Sequence, residues 1–285
     1  MQEIQNFWAL VGGDTSYMAN YLVLGGEGFI GKALVNFLIS EGNSVHSLDF
    51  RSDSKQDLRV IKINNLPDFD ATFFLAWNVG GSKFLNQTST WHSQVTDNIA
   101  LINNIFPQLI RASKPFLFVS SQLAGIDNSP YSLTKKLAEE YCATIATSVV
   151  ARQWNVYGSI ENFDDKSHVI SDFIIQALRT GEIHLLTDGS EQRKFVHLND
   201  TCRAYLQMIK EQKDRIYDVS SAHYITILEV AELIAKITGA KLFPSQISGY
   251  TPFSTECATY PGWEPTISLE DGIRNLITEY SKSVY

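Results

Sequence analysis

The sequence predicts an α/β protein built on a doubly wound parallel sheet, with a smaller α/β lobe after it. Three observations carry this: short apolar runs alternate with amphipathic stretches, a glycine-rich turn joins the first run to its helix, and an acid closes the second run. With 285 residues and 44% apolar composition the chain can bury a substantial core, and 19% charged residues argue against disorder.

From Tyr21 to Asp49 the chain reads YLVLGGEGFIGKALVNFLISEGNSVHSLD, a strand, turn, helix and second strand. Ala33, Leu34, Phe37 and Leu38 share one helical face, and Gly42-Asn43 supplies the stop. Further strand-like runs are expected at Leu58–Ile63, Ala71–Ala76, Pro115–Ser120 and Ser148–Gln153, with helices around Val95–Leu109 and Tyr131–Ile145 between them. Past Gly158 the alternation loosens into a polar stretch, Ser159–Lys166. A helix at Val169–Arg179, a strand at Glu182–Leu186, a helix at Asn199–Glu211 and a strand at Ile216–Val219 follow. Helices at Ile227–Thr238 and Leu269–Tyr280 complete the expected order. This divides the chain into an extension (1–20), a nucleotide-binding domain (21–158) and a substrate lobe (159–285) partly interleaved with it.

A net charge of −8 without any Lys/Arg run argues against DNA or RNA as partner, although a few placed cations can still hold an anionic ligand. Cys142, Cys202 and Cys257 lie far apart without metal-type spacing, His168, His184 and His197 do not cluster, and a reducing cytoplasm is the expected location. The longest apolar stretch, Ala71–Trp77, is too short to span a membrane, and the first twenty residues lack the basic region of a secretory signal.

Gly25, Gly28 and Gly31 form GxxGxxG between strand and helix, giving a tight turn, close backbone approach to a pyrophosphate, and close helix packing. Asp49 stands at about the twenty-residue interval where an acid binds the adenosine ribose diol, so NAD is favoured over NADP, which Arg51 keeps as a minority option. Tyr131 and Lys135 (YSLTK) share a helix face, where an ammonium is expected to favour the phenolate of its neighbour and lower a pKa that is ordinarily about 10.

Together these motifs resemble the extended short-chain dehydrogenase/reductases, in particular their nucleotide-sugar epimerase/dehydratase branch, from about Tyr21 to the C-terminus. GGEGFIG is similar to the cofactor loop, FFLAW (Phe73–Trp77) to the fourth-strand motif, FVSSQLAG to the catalytic serine strand and PYSLTK to the tyrosine-lysine motif. The resemblance implies a Rossmann-type sheet and assigns Gly25, Gly28, Phe29, Ile30, Gly31, Asp49, Ala76, Asn98, Tyr131 and Lys135 to the cofactor. It further implies that Ser120 polarises the reacting oxygen, with Ser121 as the rival one residue on, while Tyr131 exchanges the proton and Lys135 holds the nicotinamide ribose. Asn155, in RQWNVYG, and Arg193, in DGSEQRKFVHLNDTCRA, are implied to meet the diphosphate of a nucleotide-sugar, with Asp200 capping the next helix. Ser121 and Gln122 complete the implied substrate contacts.

Gln122 stands where the dehydratases and decarboxylases of this branch carry an acid, which directs the expectation to a 4-epimerase or an NAD(P)H-dependent 4-keto-6-deoxy-sugar reductase. A catalytically silent dinucleotide-binding protein is the expectation of a different class. Lys194 stands where an aspartate is common, and Ser248–Pro261 lacks a second nucleotide-binding arginine. Trp154 and Trp263 read as packing residues. The helices at Val95–Leu109 and Leu137–Ile145 suit either the core or a homodimer contact.

Overall fold

A computed structural model of the chain describes residues 18–63, 68–79, 84–85, 87–160, 168–211, 216–251 and 257–284. Residues 1–17 of the expected extension and most of the polar stretch Ser159–Lys166 therefore lie outside the described residues, and Asn20, the last residue of that extension, already belongs to the first strand. Six parallel strands form the main sheet: β1 (Asn20–Leu24), β2 (Ser44–Leu48), β3 (Ala71–Phe74), β4 (Phe116–Ser121), β5 (Ser148–Gln153) and β10 (Ile216–Val219), in the order β10-β5-β4-β3-β1-β2. The direction of winding reverses at β1, between β2 and β3, which opens a crevice at the carboxyl edge there.

Helices α1 (Phe29–Ser40) and α5 (Leu198–Glu211) cover one face of this sheet, and α2 (Thr88–Ala112) and α3 (Pro130–Ala143) cover the other. Strand alternation divides β4 between two cores: Leu117 and Val119 join Leu34 and Tyr205, whereas Phe116 and Phe118 join Ile105, Phe106 and Ala138. A third apolar cluster unites α4 (Val169–Thr180), α6 (Ile227–Thr238) and α7 (Leu269–Val284). Short pairs accompany it: β6 (Asn155–Tyr157) with β9 (Phe195–His197), β7 (Glu182–His184) with β12 (Lys241–Phe243), and β8 (Gln192–Arg193) with β11 (Ile225–Thr226).

One expected strand is absent. Leu58–Ile63 is turn and irregular chain because side-chain amides of α2 take its backbone groups. Asn104 Nδ2 donates to the Leu58 and Ile61 carbonyls, and Gln108 both donates to Ile61 and accepts from the Ile63 N–H. Among the described residues no helix is long and apolar enough to cross a membrane, and no group of acids, histidines or cysteines is placed to hold a metal ion.

Candidate active site

At the crevice, Gly25 has φ +96°, and a Cβ there would meet the Ala76 amide nitrogen at 2.6 Å. A Cβ on Gly31 would collide with the Gly25 carbonyl oxygen, so both glycines are dictated by close packing. Gly28 differs: its Cβ would touch only that carbonyl, at 3.3 Å, leaving the space above the turn open. Gly28 is also the N-cap of α1, with no side-chain cap and no acid in the first turn, so the Phe29 and Ile30 end of the helix offers its backbone N–H groups to an anion. Asp49 closes β2, buried, accepting from the backbone of Glu27 (3.1 Å) and Arg51 (3.0 Å). Asn98 is fully buried and pins the chain after β3, accepting from the Asn78 N–H at 2.7 Å and donating to its carbonyl.

Ser129 caps α3 through the Ser132 amide and Pro130 opens it, placing Tyr131 and Lys135 one turn apart beneath the end of β4. Ser121, the last residue of β4, stands beside the Tyr131 phenol and favours its ionised form, and is itself fixed by the Leu123 N–H (3.1 Å) and the Gln122 side chain (3.2 Å). Ser120 points the opposite way and donates to Glu139 Oε1 at 2.7 Å. Ser120, the serine implied to polarise the reacting oxygen, is therefore engaged by Glu139, and its rival Ser121 is the one beside the phenol.

The expected electrostatics are also reversed. Burial pushes the Tyr131 phenol up to about 12, only partly opposed by Ser121, and brings Lys135 down to about 7 against the pull of Glu139 and Cys142. Lys135 Nζ donates to the Val119 carbonyl (2.6 Å) and lies 4.1 Å from the Trp77 ring centre but 6.0 Å from that of Tyr131. Desolvation thus outweighs the neighbouring charge.

Sequence reasoning missed Glu139 and Arg152. Glu139 lies four residues beyond Lys135 on the same helix face, a spacing that could have flagged it. Its carboxylate receives both Arg152 Nε (2.8 Å) and Nη2 (2.7 Å), together with Ser120, forming a buried bridge between α3, β4 and β5.

The model of the NAD dependent epimerase/dehydratase family matches residues 21–220. The chain belongs to this family. It is an enzyme family, and NAD is its cofactor, which the open turn above Gly28 and the uncapped start of α1 fit. Among family members, the UDP-N-acetyl-alpha-D-glucosaminuronate decarboxylase of Bacillus cytotoxicus is 23% identical over 90% of this chain and 96% of its own length. The UDP-glucose 4-epimerase of Lactobacillus helveticus is 24% identical over 92% of this chain and 97% of its own. The fold is shared with the UDP-glucose 4-epimerase of Thermotoga maritima (TM-score 0.76, 22% identity, covering 93% of this chain and 100% of that one). It is also shared with the UDP-N-acetylglucosamine 4-epimerase of Methanobrevibacter ruminantium (TM-score 0.80, 20% identity, covering 93% and 99%).

On the remaining side of this family member's site, the Gln122 N–H donates to the Gln153 carbonyl (3.2 Å), and Asn155 donates through its backbone and side chain to the Lys194 carbonyl (3.3 and 3.2 Å). The guanidinium of Arg193 donates to the Gln192 and Tyr250 carbonyls. Trp263 packs in the core as expected, whereas Trp154 is buried outside all three apolar clusters. Asp200 is not a helix cap: its oxygens bind Arg203, the Thr266 hydroxyl and the Thr266 and Ile267 amides.

Proposed function

We propose that the chain is a nucleotide-sugar 4-epimerase. The observation that carries this is the contact of the Tyr131 phenol with the Ser121 hydroxyl at the carboxyl edge, beside Gln122, whose amide offers no second acid or base for elimination. Hydride removal from C4 of the sugar and its return are the chemistry that bound NAD supplies. Ser121 holds the C4 oxygen, and Tyr131 takes its proton as the hydroxyl becomes a carbonyl, then gives that proton back when the opposite face is reduced. Lys135 and the glycine turn position the dinucleotide, and Asn155 and Arg193 hold the diphosphate. In this reading residues 21–158 form the cofactor-binding domain, which also lends Ser121, Gln122 and Asn155 to the substrate, and residues 159–285 form the substrate lobe.

A 4-keto reductase is the second reading, favoured by the upward shift of Tyr131, which keeps the phenol in its proton-donating form. Retained NAD in purified protein supports the epimerase, and stoichiometric oxidation of added NADH or NADPH supports the reductase. A second copy of the chain is the proposed partner of the exposed stripe Leu133, Leu137 and Tyr141 on α3 and of Trp91 and Val95 on α2. The free thiols of Cys142, Cys202 and Cys257 suit a cytoplasmic location.

The test is incubation with UDP-, dTDP-, GDP- and CDP-hexoses and their 4-keto derivatives, read by NMR because epimerisation leaves mass unchanged. Tyr131→Phe is expected to lower turnover by about 10²–10⁴-fold while NAD remains bound. Full activity of that variant removes Tyr131 from the mechanism.

A further inference from the structure

Trp77 stands just past β3, on backbone that is fixed from both sides. Ala76 packs against Gly25 of the glycine turn and donates to the Leu24 carbonyl (2.9 Å), while Asn78 is held by Asn98. The indole lies against the rings of Phe118 and Phe74, at 5.5 and 6.4 Å between centres. In the corner that Trp77 makes with Phe118 sits the Lys135 ammonium, 4.1 Å from the first ring centre and 4.8 Å from the second. Lys135 is 3% exposed. Among the described residues only one of its three N–H groups finds a hydrogen-bond acceptor, the Val119 carbonyl.

A buried ammonium ordinarily takes a carboxylate as partner. Glu139, one turn further along α3, accepts instead from Arg152 of β5 and from Ser120. The other titratable groups around Lys135 are Tyr131, with its ring centre 6.0 Å from Nζ, and Cys142, and burial keeps both protonated at neutral pH. What remains for the charge is ring face, and indole offers the strongest one. It comes at a cost, because the Trp77 N–H is buried with no hydrogen-bond partner among the described residues, a cost that phenylalanine in the same corner would avoid. Filling the corner therefore does not account for an indole, whereas holding a cation does. Resting on the reading above, in which Lys135 positions the dinucleotide, we propose that Trp77 is a positioning residue whose ring face keeps the Lys135 ammonium charged and in place for that task.

The test uses the full chain. In dinucleotide-free protein with labelled lysine, the ε-methylene NMR signal of Lys135, identified by its absence in Lys135→Arg, is expected upfield of the other lysines through the ring current of Trp77. Trp77→Leu should remove that displacement and lower the Lys135 pKa by about 1, and Trp77→Phe should keep most of both. By calorimetry, Trp77→Leu should weaken NAD about tenfold and Trp77→Phe less than about threefold, with ADP, which lacks the nicotinamide ribose, unchanged in either. A wild-type Lys135 signal among those of the other lysines overturns the proposal and needs no variant to fold. Equal loss of NAD in Trp77→Phe and Trp77→Leu overturns it in favour of the indole N–H, and equal loss of ADP and NAD overturns it in favour of a packing role. Unchanged NAD affinity in Lys135→Met overturns the reading of Lys135 itself, and with it the bearing of Trp77 on the cofactor, whatever the spectra show.

Discussion

The two halves of the carboxyl edge are built from different materials. Around β1 the site is made of backbone: Gly25 and Gly31 leave no room for a Cβ, and the helix start presents amides. Around β4 and β5 it is made of side chains, and adjacent serines of one strand meet different residues of the same helix, α3. Ser121 meets the phenol of Tyr131, while Ser120 serves the Glu139–Arg152 bridge. A backbone site is fixed by what is missing from the sequence, whereas a side-chain site is fixed by register, where one step along the strand gives a hydroxyl a different partner.

The sharpest way to break this contrast is at the turn. Gly31→Ala is expected to cost about 1–3 kcal/mol of stability and to abolish measurable NAD binding, read by chemical unfolding and by calorimetry. Unchanged affinity would mean that the turn is not the pyrophosphate cradle. On the other half, Ser121→Ala should lower kcat by about 10²-fold and Ser120→Ala by less than about threefold. The reverse order would restore Ser120 to the reacting centre. A third test concerns Lys135, whose downward shift means that the folded chain binds fewer protons than the unfolded chain between about pH 7 and 10.5. Its burial penalty is full at and below pH 7 and shrinks as pH rises through that window. In protein stripped of dinucleotide, the stability of Lys135→Met relative to wild type should therefore be most favourable near pH 6.5 and decline toward pH 9.5. A constant difference in urea unfolding across that range would show that Lys135 is not desolvated.

Legibility in the sequence followed the same division. The βαβ unit, the glycine turn and Asp49 were readable because glycine reports a steric requirement directly and strand alternation reports burial. Leu58–Ile63 has the composition of a strand but loses its backbone groups to Asn104 and Gln108, more than forty residues away, a competition no local window contains. The serine assignment depended on which face of β4 each residue occupies. Tyr131 was expected to be acidic because spacing reveals a neighbouring ammonium but not how completely both groups are desolvated. The paired strands β6, β8, β9, β11 and β12, two or three residues each, are too short to show a period.

Asp200 carries a consequence for how the molecule is completed. This carboxylate sits fully enclosed, and, apart from Arg203, the donors that neutralise it arrive from Thr266 and Ile267, more than sixty positions downstream. Until that late stretch is delivered, the helix bearing Asp200 can bury its apolar side only by trapping a poorly solvated anion. The tail is thus a keystone: a chain cut before it leaves the arch above the sheet unable to settle.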